Sequence, residues 1–140
     1  MNRPGPAAPV LLEILESGGY PDFSGLYREA GFEPLRARSM RAGLRLLREA
    51  APAVVVVEFV YTPHYSFRIS SLESLMAGIQ AAGRRPRLVV LAERADAAHL
   101  DRLEARMDID ARLLLPVHAE TLRAALGPAP ADPRLSRGER

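Results

Sequence analysis

Glu58 is the residue in this sequence best placed by type to do chemistry. In "AVVVVEFVYTPHYSF", Ala53 to Phe67, it follows Val54–Val57 and precedes Phe59, Tyr61, His64, Tyr65 and Phe67. A carboxylate beside an imidazole can work as an acid–base pair, with Glu58 orienting His64. The two stand six residues apart in a loop, and that spacing does not make a dyad by itself. Glu58 also suits an anchor for a bound ligand, or a strand-end acid satisfied by an arginine or by backbone amides. His99 and His118 read as a helix-face residue and a helix-start residue, so a three-histidine metal site finds no support. There is no cysteine, which excludes disulfides, thiolate nucleophiles and cysteine metal sites. All 19 basic residues are arginine. Lysine chemistry, from Schiff bases to phosphate-loop lysines, is therefore absent.

Alternating apolar runs and amphipathic stretches must position these groups. "PVLLEIL" (Pro9–Leu15) reads as a first strand. Asp22 then caps a helix with Phe23, Leu26, Tyr27 and Ala30 on one face, and Gly31 stops it. "FEPLRA" (Phe32–Ala37) is a second strand, at a sheet edge because Pro34 has no N–H to donate. Ser39 caps a helix with Met40, Leu44 and Leu47 inward and Arg41, Arg45 and Arg48 outward. "AVVVVEF" is apolar on both faces, as a central parallel strand requires. Ser70 and Glu73 form a capping box for a helix with Leu72, Leu75, Met76 and Ile79 inward, ended by Gly83. "RLVVLA" is a fourth strand, Asp96 caps a helix carrying Leu100, Leu103 and Met107, and "ARLLLP" is a fifth strand. "HAETLRAALG" is the last helix.

Five β/α units predict a three-layer, flavodoxin-like α/β fold: a five-stranded parallel sheet, order 2-1-3-4-5, with five helices. The expected organisation is a flexible N-terminus at 1–8, one domain at 9–127 and a disordered, arginine-containing tail at 128–140. Ligands of such sheets bind beyond the C-terminal strand ends, near the switch point between strands 1 and 3. Glu58 ends strand 3.

"LYREAGFEPLRARSMRAGLRLLREAAPAVVVVEF" and "ARLLLPVHAETLRAAL" resemble the receiver domain of bacterial two-component response regulators, over about Pro9 to Leu126. The resemblance rests on the order and spacing of the first helix, the Ala-Gly-aromatic turn, the hydrophobic third strand and the closing strand–proline–helix unit. Receivers phosphorylate an aspartate at the end of strand 3, beside magnesium held by two acids after strand 1. A Ser/Thr ending strand 4 and a Lys ending strand 5 contact the phosphate. Carried over, the phosphoacceptor position is Glu58, the hydroxyl position Ala92 and the lysine position Leu115, before Pro116. The acid pair falls near Ile14 and Leu15, flanked by Glu13 and Glu16, and the aromatic switch position near Arg112. The resemblance implies a cis Leu115–Pro116 bond. It also opens a further role for Glu58, a partial imitation of a phosphorylated aspartate.

With Ala92 and Leu115 in those places, a phosphoryl group would lose both contacts. The chain therefore reads as a degenerate receiver: not an enzyme, with no cofactor and no metal. The loop after Glu58 is longer than the receiver turn. The aromatic residues fall in two windows, Tyr20–Phe32 and Phe59–Phe67, and most are expected at the C-terminal edge of the sheet. Tyr61, His64, Tyr65, Phe67 and Arg68 form the candidate interaction loop, because aromatic residues and arginine concentrate at interface cores. The expected function is phosphorylation-independent protein–protein recognition in signalling, with an unidentified protein partner and a homodimer. The alternative is a small-ligand protein or enzyme with a pocket lined by Glu58, Tyr61, His64 and Tyr20. "RARSMRAGLRLLR" holds five arginines and no acid, but a net charge of +2 and the lack of interleaved aromatics argue against nucleic acid. No apolar run spans a membrane and no signal peptide is evident, so a cytoplasmic protein is expected.

Overall fold

The computed structural model describes residues 8–60 and 71–129. Its central strand is β3 (Val54–Phe59), and all six of its side chains are buried. β-Branched residues favour the pleated backbone, and helices on both sides remove the need for polar alternation. β3 lies parallel to β1 (Val10–Ile14) and to β4 (Arg87–Ala92), with Val55 beside Leu12 and Leu88. β2 (Glu33–Ala37) and β5 (Ala111–Leu114) form the two edges, giving the order β2-β1-β3-β4-β5. Pro34 thus sits on an edge strand, opposite Leu11.

The helices cover both faces. α1 (Ser24–Glu29) and α5 (Ala119–Leu126) pack Phe23, Tyr27, Leu122 and Leu126 against Leu11, Val54, Val56 and Leu91. α2 (Met40–Ala50), α3 (Ser71–Ala82) and α4 (Ala97–Glu104) cover Leu12, Ile14, Val55, Val57 and Val90. This is the three-layer, five-helix fold expected from the sequence.

The helix ends follow local chemistry. The Asp22 carboxylate accepts from Ser24 N at 2.9 Å, and Gly31 closes the turn at φ 98°. Ser39 Oγ accepts from Ala42 N at 3.1 Å, as its cap position predicts. Two helix readings needed correction. The Asp96 side chain makes no cap hydrogen bond, because a 3-10 turn at Arg94–Asp96 leads into α4. That helix also ends at Glu104, so Met107 reaches the core from the following turn. Ser70, half of the expected capping box, lies outside the described residues, although Glu73 does stand in the first turn of α3. At the other end of the domain, Ala129 still packs against the core, so ordered contacts run past the expected 127 boundary.

α2 sits close to its neighbours through two glycines. A Cβ on Gly43 would meet Ile14 Cδ1 at 2.6 Å, and one on Gly78 would meet Leu44 Cδ2 at 2.7 Å. The first contact presses α2 onto β1, and the second lets α3 approach α2.

Candidate functional site

The C-terminal ends of β1, β3, β4 and β5 converge, as a doubly wound sheet requires. Glu58 is only 5% exposed. Its carboxylate accepts from Ser17 N at 2.6 Å, so the segment after β1 is tied to the end of β3. A charge-assisted bond of this length satisfies one carboxylate oxygen that burial would otherwise leave without water. The segment after β1 thus reaches the end of β3; the loop expected beside it, at 61–70, lies outside the described residues.

Glu58 stands in register with Leu91 of β4. Ala92 lies in register with Phe59 on β3 and is 1% exposed. Leu115 donates its N–H to Ala92 O at 2.9 Å, and the Leu115–Pro116 bond is cis, as the resemblance implied. Ile14 and Leu15 are both core residues, on opposite faces of the sheet. Neither flanking acid turns toward Glu58 in a hydrogen bond. Glu13 is buried on the α1 side, where the Tyr27 hydroxyl donates to it at 2.7 Å and Arg36 Nε at 3.1 Å. Glu16 accepts from Met40 N at 2.9 Å and so caps α2.

Magnesium, which the fold's known chemistry would imply, does not fit these residues. It asks for near-octahedral oxygen coordination. The acid-pair positions, Ile14 and Leu15, offer hydrocarbon, Glu13 and Glu16 are engaged by other groups, and Glu58 already holds an amide. Among the described residues, no cluster of three or more His, Asp or Glu side chains could hold a metal ion.

Tyr20 is the aromatic that does reach this edge. Burial pushes its phenol up to about 12, and the negative charges of Glu58 and then Glu93 add to the effect. Tyr20 borders a cleft of about 650 Å3, together with Glu93, Arg94, Leu115, Pro116 and Val117. The cleft opens between the segments following β1, β4 and β5. Glu58 does not line it, so it differs from the pocket expected at strands 1 and 3. Glu93 was not singled out from the sequence. Its place directly after Ala92 at the end of β4 is the signal that could have found it.

The other described aromatics are core residues. Phe23, Tyr27, Phe32 and Phe59 are all buried. Phe23 and Tyr27 are core neighbours with ring centroids 6.3 Å apart, and Phe59 belongs to the opposite core, under α2 and α3. Burial also raises the Tyr27 phenol, with the Glu13 charge adding to it. The interaction-loop residues Tyr61, His64, Tyr65, Phe67 and Arg68 lie outside the described residues. Arg112, at the expected aromatic switch position, bridges Asp101 at 2.5 Å and Glu104 at 3.2 Å on α4. His118 is the N-cap residue of α5, and His99 lies on α4 beside Arg102. Arg41, Arg45 and Arg48 are exposed along the outer side of α2.

No protein-family model matches the sequence, and no curated protein matches it. Solved structures do match in shape. A response regulator receiver domain protein from Clostridium thermocellum superposes with a TM-score of 0.67 at 21% identity, covering 84% of this chain and 90% of that one. The chemotaxis protein CheY4 of Vibrio cholerae gives 0.67 at 17% identity, over 86% of this chain and 97% of its own. The REC domain of AraT, a response regulator from Geobacillus stearothermophilus, gives 0.65 at 13% identity, over 95% and 99%. At these identities the likeness establishes the fold: the chain has the five-stranded architecture of a response-regulator receiver domain.

Proposed function

We propose that this protein is a receiver-like signalling module that recognises a protein partner without being phosphorylated and without catalysing a reaction. One observation carries the reading: at the end of β3 the carboxylate is Glu58, already bonded to Ser17 N and in register with Leu91, while Ala92 ends β4 and Leu115 follows β5. A phosphoryl group carries roughly two negative charges and three acceptor oxygens. Position 92 offers it no hydroxyl, position 115 no lysine, and positions 14 and 15 no acid pair to hold magnesium. Glu58 is one fixed charge satisfied by the backbone, which suits a domain held in one state.

Incubation with a small phosphodonor and magnesium, followed by intact-mass measurement, tests the reading. The expected result is an unchanged mass. A stoichiometric phosphoryl adduct would overturn it.

A second reading draws on the cleft beside Tyr20. Its size and mixed lining suit a small molecule with an apolar body and a polar group for Glu93 or Arg94. A ligand-dependent rise in melting temperature that Tyr20→Ala abolishes would favour it over the interaction module.

A further inference from the structure

We infer that the outer stripe of α2 is a docking site for an acidic helix of a partner protein, an inference that rests on the interaction-module reading above. Elsewhere the described arginines largely satisfy themselves. Arg85, Arg106, Arg112 and Arg123 each hold a carboxylate at 3.4 Å or less. Arg36 bridges Glu13 and Asp22, and Arg87 donates to Ala125 O at 2.8 Å. Arg28, Arg84 and Arg94 stand singly without an ion pair among the described residues, whereas Arg38, Arg41, Arg45 and Arg48 are gathered on α2 and the turn before it. All four are exposed, and none has an ion pair or hydrogen bond among the described residues. Even Glu49, four residues after Arg45, makes no ion pair with it.

Helical geometry aligns three of them. At about 100° per residue, Arg41, Arg45 and Arg48 fall within an arc of about 60°, spread over about 10 Å of helix axis. Carboxylates at i, i+4 and i+7 of a second helix repeat that spacing. Guanidinium groups match carboxylates with two parallel N–H donors, so the stripe reads spacing as well as charge.

Charge and surroundings favour an acidic protein over other anions. A lipid surface needs apolar side chains beside the basic ones. The inward side of α2 is packed on the sheet, and the exposed large hydrophobic among the described residues, Val60, follows β3 rather than lying on α2. A single-stranded nucleic acid would need stacking rings, and α2 has none. Duplex binding is driven by many phosphate contacts, whereas this stripe offers three aligned cations with Glu49 beside them.

The test uses the full chain and two fluorescent helical peptides of identical composition. One carries glutamates at i, i+4 and i+7, and the other carries them scrambled. The spaced peptide should bind at least about tenfold more tightly at low salt. Arg41→Gln/Arg45→Gln/Arg48→Gln should lose about tenfold for the spaced peptide, since each exposed pair contributes a factor of up to about five. Arg28→Gln/Arg84→Gln should stay within about twofold. Circular dichroism checks that each variant is folded, and Arg41→Glu/Arg45→Glu/Arg48→Glu should instead bind a lysine version of the spaced peptide. Equal binding of the two glutamate peptides, or no loss in the triple variant, overturns the inference. So does tighter binding to a mixed-sequence DNA duplex than to the spaced peptide. These measurements need no phosphodonor. A phosphoryl adduct would therefore defeat the proposed function alone, and failed peptide binding would defeat this inference alone.

Discussion

Tyr20 links the residue scale to a measurable pH dependence. Its phenol is shifted from 10.0 to about 12, chiefly by burial and then by Glu58 and Glu93. The folded state therefore keeps its proton where the unfolded state loses it. The stability this represents is complete below pH 10 and is lost as pH rises through about 12. Tyr20→Phe should flatten the alkaline part of the stability profile in that window and remove a late step from the tyrosinate absorbance titration. Loss of a step near pH 10 instead would show that Tyr20 ionises like a solvated phenol. Asp22 works in the opposite direction. The amide of Ser24 holds its carboxylate below the usual range, so its small contribution is present at neutral pH and fades in acid.

At the scale of elements, the seat of α2 is set by Gly43. Alanine has the higher helix propensity, by about 1 kcal/mol, and on an exposed face Gly43→Ala would stabilise. Here the new methyl lands 2.6 Å from the buried Ile14 side chain. Overpacking of this kind costs about 1–3 kcal/mol, so the net effect should be destabilising in urea unfolding. Adding Ile14→Val removes the contacting methyl and should recover part of the loss; a Gly43→Ala protein more stable than wild type would contradict the tight seat. The elements themselves were legible in sequence. Four valines, the Ser39 cap, the Phe23/Tyr27 periodicity and the edge proline each state a local rule that tertiary structure obeyed. Gly43 was not legible, because a glycine inside an amphipathic helix gives no sign of what it faces. Nor was the lost Asp96 cap, since Asp serves both helix starts and the 3-10 turns that precede them.

For the whole molecule, strand order and layers were legible because alternating strands and helices admit few right-handed solutions. The site was legible only as positions. The resemblance placed Glu58, Ala92 and Leu115 at or beside strand ends, but the Ser17 amide that satisfies Glu58 is a backbone group with no sequence signature. The aromatic windows were legible only in part: composition counts rings but does not say which way they point, and Tyr61, Tyr65 and Phe67 lie outside the described residues. Self-association belongs to this scale. Among the described residues the exposed large hydrophobic is Val60, 49% exposed, too little area for a stable dimer. The homodimer expected from the sequence rests on Tyr61, Tyr65 and Phe67, which lie outside the described residues. Sedimentation should give a dimer for wild type and a monomer for Tyr61→Ala/Phe67→Ala; one shared monomeric species would remove the loop-mediated dimer.

The tie between Ser17 and Glu58 also bears on protein engineering. Installing a receiver's phosphate chemistry here would take more than an aspartate at 58, a hydroxyl at 92 and a lysine at 115. The magnesium acids would have to replace Ile14 and Leu15, whose burial contributes about 1.5–3 kcal/mol each. Each single exchange would weaken the core before any reactivity returned. If the proposed reading holds, the domain is a poor starting point for building a phosphorylation switch and a better one for a scaffold.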